Sequence, residues 1–230
     1  MKLILDFDDT IFDAKSFKEE SLFNPNTYNV FDMIISRADI REIYAEYRRE
    51  SNIFNIRDFV KRVSASTNSE VDIDKVLFNL SSSIKKYVKK EFLTIIEKAG
   101  RENVFILSQG DEEFQLFKIN NSNLSDKVDR VHIVAQDKAD KVREWCNVWS
   151  GEDVVFVDDK YSNLLKEDIP LNLRQVYVGE RDKVEQSEAE ISGDFFIEML
   201  YNDDNTKIES LFSVIISNES KGELWRDKMI

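Results

Sequence analysis

Five short apolar runs, each closed off by polar residues or glycine, constrain this chain more than any other feature of its sequence. They are Lys2–Leu5, Val104–Leu107, Val131–Ala135, Val154–Val157 and Gln175–Val178. Runs rich in Val, Ile, Leu and Phe with no polar alternation read as strands buried on both faces, as in a parallel sheet. Helix candidates lie between them at about Glu112–Ile119, Ala139–Trp149 and Ser162–Lys166. This alternation predicts an α/β fold with a parallel sheet between helical layers.

One interval breaks the rhythm. About 95 residues separate Asp8 from Val104, where a crossover needs only a dozen or more. The interval is helical by pattern. Ile40, Ile43, Tyr44 and Tyr47 recur at i, i+3, i+4 and i+7, and Ile56, Phe59, Val60 and Val63 repeat that spacing. A third segment carries Leu77, Leu80, Ile84, Tyr87 and Val88, and reads as running on toward Ala99 to stop at Gly100. The expected organisation is a core of residues 1–14 and 100–180, a helical cap of 15–99 whose last helix belongs to the core, and an acidic C-terminal extension of 181–230. The cap leaves the core at the end of the first strand, so it is read as a lid over the strand ends.

Charge narrows the possible partners. The chain carries a net charge of −13, which argues against the basic face that nucleic-acid binding requires. The acidity is concentrated late. Residues 179–230 hold 6 Lys/Arg against 13 Asp/Glu, while residues 15–99 hold 15 against 13. No apolar run approaches the roughly 20 residues of a membrane span. The start is too short before its acids for a signal peptide. The single Cys146 fits a reducing compartment and reads as a small buried hydrophobe. A soluble cytoplasmic protein is expected, without nucleic-acid or membrane partners. The extension, with its apolar Phe195–Ile197 and Ile208–Ile216, is expected to pack on the core or on a protein partner.

Four chemical stations fall at the C-terminal ends of the expected strands, where open α/β sheets bind ligands. Asp6 and Asp8 follow the first strand. Ser108 ends the second and precedes Gln109 and Gly110. Lys138 follows the third. Asp158 and Asp159 end the fourth, with Asn163 beyond them. Singly, each has a plain structural reading as a cap, a turn or a surface charge, and Lys141 lies near enough to stand in for Lys138. Their shared order points to phosphoryl transfer through a covalent aspartate. In that scheme Asp6 is the nucleophile and Asp8 the general acid, then base. Mg²⁺ takes oxygens from Asp6, the Asp8 backbone carbonyl and Asp158. Ser108 and the N–H groups of the following turn hold the phosphoryl oxygens, with Gly110 permitting close approach. Lys138 supplies fixed positive charge. Asp9, Thr10, Asp159 and Asn163 support the site.

Leu3–Thr10, Phe105–Ser108, Lys138 and Val155–Asp159 together resemble the four motifs of the haloacid dehalogenase (HAD) superfamily. The resemblance covers residues 1–14 and 100–180. It implies a Rossmann-like three-layer core with a mobile cap, Mg²⁺ dependence and an aspartyl-phosphate intermediate. An acid two residues after the nucleophile accompanies phosphatases and phosphomutases in that family, and dehalogenases lack it. Asp137-Lys138-Ala139 departs from the pattern by lacking the Pro that often follows the lysine. The expectation is a phosphatase acting on a small phosphorylated metabolite. The alternatives are a phosphomutase with the same core chemistry, a receiver-like protein and a non-catalytic interaction protein. Arg48, Arg49, Tyr44 and Arg57 are the cap's candidate contacts to an anion or a ring, and exposed helix surface explains them equally well.

Overall fold

The structure, a computed structural model, describes residues 1–23, 30–179 and 197–201. Its frame is a sheet of six parallel strands in the order β3-β2-β1-β4-β5-β6. The strands are β1 (Lys2–Leu5), β2 (Val104–Gln109), β3 (Arg130–Val134), β4 (Val154–Asp158), β5 (Leu173–Gly179) and β6 (Ile197–Tyr201). From β1 the chain steps outward through β2 to β3, then returns to place β4 on the other side of β1. Their carboxyl ends therefore flank the point where the winding reverses, the crevice in which such sheets hold ligands.

Period-two alternation sends side chains to both faces. Leu3, Leu5, Ile106, Val155 and Val157 join one apolar cluster, and Ile4, Phe105, Leu107, Phe156 and Tyr177 the other. Helices α5 (Lys90–Ala99) and α6 (Glu112–Asn121) cover the first face through Phe92, Ile95, Ile96, Phe114 and Ile119. Helix α7 (Ala139–Val148) covers the second through Val142, Trp145 and Cys146.

The insertion begins with α1 (Ala14–Phe17) and a π-helical turn (Lys18–Leu22). It then forms α2 (Arg37–Glu50), α3 (Ile56–Thr67) and α4 (Ile73–Ile84). Ser36, Asn55 and Asp72 cap the last three by accepting from N–H groups of their first turns. The third apolar segment is two helices, not one. After α4, the backbone turns through Lys85–Tyr87 and extends at Val88. There Lys89 N donates to Ile11 O at 2.8 Å, and Asp13 N donates to Tyr87 O at 2.8 Å. Entry to and exit from the insertion thus run side by side, and this local pairing overrides the helical pattern.

Two other expectations change. Ser162–Lys166 contains no α-helix. A 3₁₀ turn at Tyr161–Asn163 ends there, and Leu164 and Leu165 are both buried. Gln175 holds the Leu165 backbone at both its N–H and its carbonyl. In the expected extension, Ile197–Tyr201 forms the edge strand β6. Residues 181–196, including Phe195 and Phe196, and 202–230, including Ile208–Ile216, lie outside the described residues. Among the described residues no helix is long and apolar enough to cross a membrane.

Candidate active site

Asp6 follows β1 directly, and its N–H donates to Val157 O at 2.9 Å, which continues the β1–β4 ladder past the last strand residue. Its carboxylate is nearly buried, at 4% exposure. Lys138 Nζ donates to Asp6 Oδ1 and, at 2.6 Å, to Asp158 Oδ2. Thr10 Oγ1 donates to Asp6 Oδ2 at 3.2 Å. Lys138, at the head of α7, is therefore the lysine that reaches the acids. Lys141 pairs with Glu144 on the outer face of that helix.

Asp158 closes β4 and is fully buried. It accepts from Lys160 N at 2.8 Å and from Asn163 Nδ2 at 3.0 and 3.1 Å. Asp159 comes next. Oxygens of Asp6, Asp158 and Asp159 lie within 4.8 Å of one another, and buried Asp159 Oδ1 has no hydrogen-bond partner. Crowding shows in their protonation. Burial, then the Asp6 charge, pushes Asp158 up to about 6 despite Lys138. Burial with Asp6, Asp158 and Asp9 pushes Asp159 up to about 8. Burial pulls the Lys138 ammonium down, but Asp6 and Asp158 outweigh it, so Lys138 is held firmly protonated. Three close carboxylates with one oxygen unpaired form a donor set of the hard, all-oxygen kind that suits Mg²⁺. Asp159, expected only to support the site, thus joins Asp6 and Asp158 in the group able to hold a metal.

The Asp8 carboxylate turns to α6. Lys118 Nζ donates to both its oxygens, at 2.6 Å to Oδ2 and closer to Oδ1, and Gln115 Nε2 donates to Oδ2 at 2.8 Å. Burial alone would raise the Asp8 carboxyl, but Lys118 and Gln115 outweigh it and hold it below its usual range. Sequence reasoning missed both α6 residues. The available signal was a lysine on the buried stripe of α6, four residues after Phe114 and next to Ile119. Asp9 adopts a left-handed φ of 61°. Its N–H donates to Phe12 O at 2.6 Å, and its carbonyl accepts from Lys89 Nζ at 2.5 Å, which shapes the turn.

Ser108, the penultimate residue of β2, has its Oγ buried and unpartnered. An orphan hydroxyl there is what an absent acceptor would leave. The Gly110 N–H is already committed, donating to Val134 O at 2.9 Å. Gly110 instead makes room: its φ is +149°, and a Cβ there would meet Gln115 Nε2 at 2.9 Å. The Gln109 carbonyl accepts from the same Gln115 amide at 3.2 Å.

Of the cap residues, Arg57 forms a two-pronged ion pair with Glu113 of α6. Asn55 Nδ2 donates to Asp111 Oδ2 at 2.8 Å, and Phe54 meets Phe114 with ring centroids 5.4 Å apart. These contacts seat α3 on α6. Tyr44 packs among Phe23, Phe54 and Phe59, while Arg48 and Arg49 are exposed.

No protein-family model matches the sequence, and no curated protein matches it. Solved structures do. A haloacid dehalogenase-like hydrolase of Burkholderia xenovorans aligns at a TM-score of 0.60 and 20% identity, covering 92% of this chain and 97% of that one. A HAD phosphatase of Thermococcus onnurineus aligns at 0.55 and 18%, covering 90% and 97%. A magnesium-bound protein of Bacillus subtilis, described as a HAD-hydrolase, aligns at 0.55 and 14%, covering 92% and 97%. Dehalogenases are similar too, among them the L-2-haloacid dehalogenase of Xanthobacter autotrophicus at 0.54 and 12%, covering 93% and 97%. The chain has the fold of the haloacid dehalogenase-like hydrolases.

Proposed function

We propose that the protein is a Mg²⁺-dependent phosphatase that hydrolyses a small phosphorylated metabolite through an aspartyl-phosphate on Asp6. The observation that carries this reading is the buried Asp6–Lys138–Asp158 cluster, with the orphan Ser108 Oγ and Asp159 Oδ1 beside it on the strand-end edge. Asp8 favours phosphoryl transfer over dehalogenation, because a halide leaves without a proton and an alkoxide does not.

In the first step an Asp6 oxygen attacks phosphorus and the ester P–O bond breaks; Asp8, ionised in the free site, has to take up a proton with the substrate and then gives it to the leaving oxygen. In the second, water attacks the same phosphorus, Asp8 accepts its proton, and the P–O bond to Asp6 breaks to release phosphate. Lys138 and Thr10 fix the Asp6 carboxylate between them, so it need not reorganise to attack. Lys138 also stands as fixed positive charge beside the phosphoryl group. Ser108 Oγ is available to donate to a phosphoryl oxygen. Asp6, Asp158 and Asp159 would hold Mg²⁺, which when bound neutralises their charge and that of the phosphoryl oxygens.

The test is phosphate release from a panel of phosphorylated metabolites. Wild-type release should need Mg²⁺ and stop with EDTA, and folded Asp6→Asn should release none. Full activity in Asp6→Asn would remove the nucleophile assignment.

A further inference from the structure

The turn by which the chain enters the cap carries three charged residues in a row, Lys18, Glu19 and Glu20. Two of them turn to the cap. Glu19 takes Arg37 and Arg41, and Glu20 takes Lys86 and the Tyr87 hydroxyl. The acids before the turn are committed as well. Asp13 Oδ1 accepts from Ser16 N at 2.9 Å, Asp9 Oδ1 accepts from Lys15 N at 3.1 Å, and Asp8 takes Lys118 and Gln115. Lys18 is half-buried, and among the described residues its ammonium has no hydrogen-bond or ion-pair partner. A lysine held this way loses hydration without gaining a counter-charge from the protein. Its place is on the Asp8 side of the site. Phe17, the residue before it, packs its ring 5.3 Å from that of Phe12, and the Lys118 ammonium lies 5.6 Å from the same Phe12 ring. The local charges agree. Burial works against the Asp8 charge, Lys118 and Gln115 outweigh it, and Lys18 adds to their side. At Lys118, burial pulls the ammonium down, Asp8 supports it, and Lys18 pulls with burial. On the metal side, burial and then Asp6 dominate Asp158 and Asp159, and the lysines that reach them are Lys138 and Lys160.

We propose that Lys18 is a specificity-determining residue that pairs with a carboxylate on the alcohol part of the substrate, so that the substrate class is phosphate monoesters of hydroxy acids. This rests on the phosphatase reading above. In that reading Asp8 faces the leaving oxygen, so a cation on the Asp8 side meets the alcohol part and not the phosphoryl group. The phosphoryl group already has Lys138 and the Ser108 hydroxyl. Lys118 balances Asp8, and Lys18 leaves one positive charge over on the leaving-group side, which one carboxylate matches. The fold also puts Lys18 where cap and core join. The π-helical turn begins at Lys18, with Phe23 N donating to Lys18 O at 2.8 Å, and it directly follows the α1 turn that leaves the acidic strand end. A lysine with only a structural role would take a neighbouring carboxylate, as Arg37 and Lys86 do.

Matched esters separate recognition from a structural role. 3-Phosphoglycerate differs from glycerol 3-phosphate by a carboxylate in place of a hydroxymethyl group, and 2-phosphoglycolate differs from ethyl phosphate by a carboxylate in place of a methyl group. All release a primary alcohol. The experiment compares kcat/KM within each pair in saturating Mg²⁺, with 4-nitrophenyl phosphate as a general phosphatase substrate. The proteins are wild type, Asp6→Asn, Lys18→Met, Lys18→Arg and Lys18→Glu. Wild type should prefer the acid by about tenfold or more in at least one pair, and the preference should shrink as added KCl screens the ion pair. Lys18→Met should bring the acid-to-neutral ratio close to one, Lys18→Arg should keep part of the preference, and Lys18→Glu should invert it. A structural role would lower both members of a pair alike and leave the ratio where it was. No acid preference in either pair, a Lys18→Met ratio equal to that of wild type, or hydrolysis of 4-nitrophenyl phosphate with none of the matched esters turned over would overturn this inference and leave the phosphatase reading standing. If circular dichroism shows that Lys18→Met does not fold, Lys18→Gln decides by the same ratio. Full activity in Asp6→Asn, or no turnover of any ester by wild type, would instead bring down the phosphatase reading and this inference with it.

Discussion

Asp159→Asn should stabilise the protein without metal and weaken its response to Mg²⁺. Asp159 sits with Asp6 and Asp158 inside a 4.8 Å group, and two unit charges at that distance repel by about 3 kcal/mol at an effective dielectric constant of about 20. Lys138 compensates the two neighbouring carboxylates, so we take about 2 kcal/mol as the relief from removing the Asp159 charge. The sign follows from the raised carboxyl, about 8 in the fold against 3.8 unfolded. Between those values the folded state keeps a proton that the unfolded state has released. The contribution is fully present below about pH 4 and is lost as pH rises through 8. The assay is urea unfolding in EDTA at pH 6 and pH 9, repeated in Mg²⁺. In EDTA the variant should exceed wild type by more at pH 9 than at pH 6. A bound metal at 100 times its dissociation constant adds about 2.7 kcal/mol, so in Mg²⁺ wild type should gain more than the variant and the gap should close or reverse. A variant less stable than wild type in EDTA at pH 9, or equal gains from Mg²⁺, would refute the reasoning.

Further expectations test other parts of the site and core. Ser108→Ala removes a hydroxyl with no protein partner, so unfolding stability should stay within about 0.5 kcal/mol while inhibition by inorganic phosphate weakens about tenfold. Gly110→Ala places a methyl at φ +149° and 2.9 Å from Gln115 Nε2, so thermal unfolding should show a loss of about 1–3 kcal/mol, with reduced turnover as Gln115 is pushed from Asp8. Burial pushes the Cys146 thiol up to about 12, so iodoacetamide at pH 8 should label it only as fast as the protein unfolds, as followed by mass spectrometry.

The sheet was legible because buried parallel strands leave uninterrupted apolar runs, and Asp6, Ser108, Lys138 and Asp158 were legible because each stands at a strand end. Lys138 and Asp158 meet Asp6 across long stretches of chain, and only their common edge foretold it. What escaped depends on local backbone geometry or on partners distant in sequence. Val88 and Lys89 keep an apolar-helical pattern, yet the chain extends there to pair with Ile11 and Phe12. Leu164 and Leu165 look helical, but the side chain of Gln175, ten residues on, holds the segment open. Lys118 reads as one more surface lysine until α6 is docked and its ammonium meets Asp8. Ile197–Tyr201 fell in the extension expected only to pack on the core or a partner; Glu198 interrupts its apolar run, and it is a strand through pairing with β5.

The central claim is a covalent phosphoryl group on Asp6, and peptide mapping by mass spectrometry after an acid quench tests it most directly. The quench is made during turnover of 4-nitrophenyl phosphate in Mg²⁺. The account predicts a phosphorylated peptide from the chain start with the modification on Asp6, absent in Asp6→Asn and in EDTA. A phosphoryl group on another residue during active turnover, or turnover undiminished in Asp6→Asn, would contradict it.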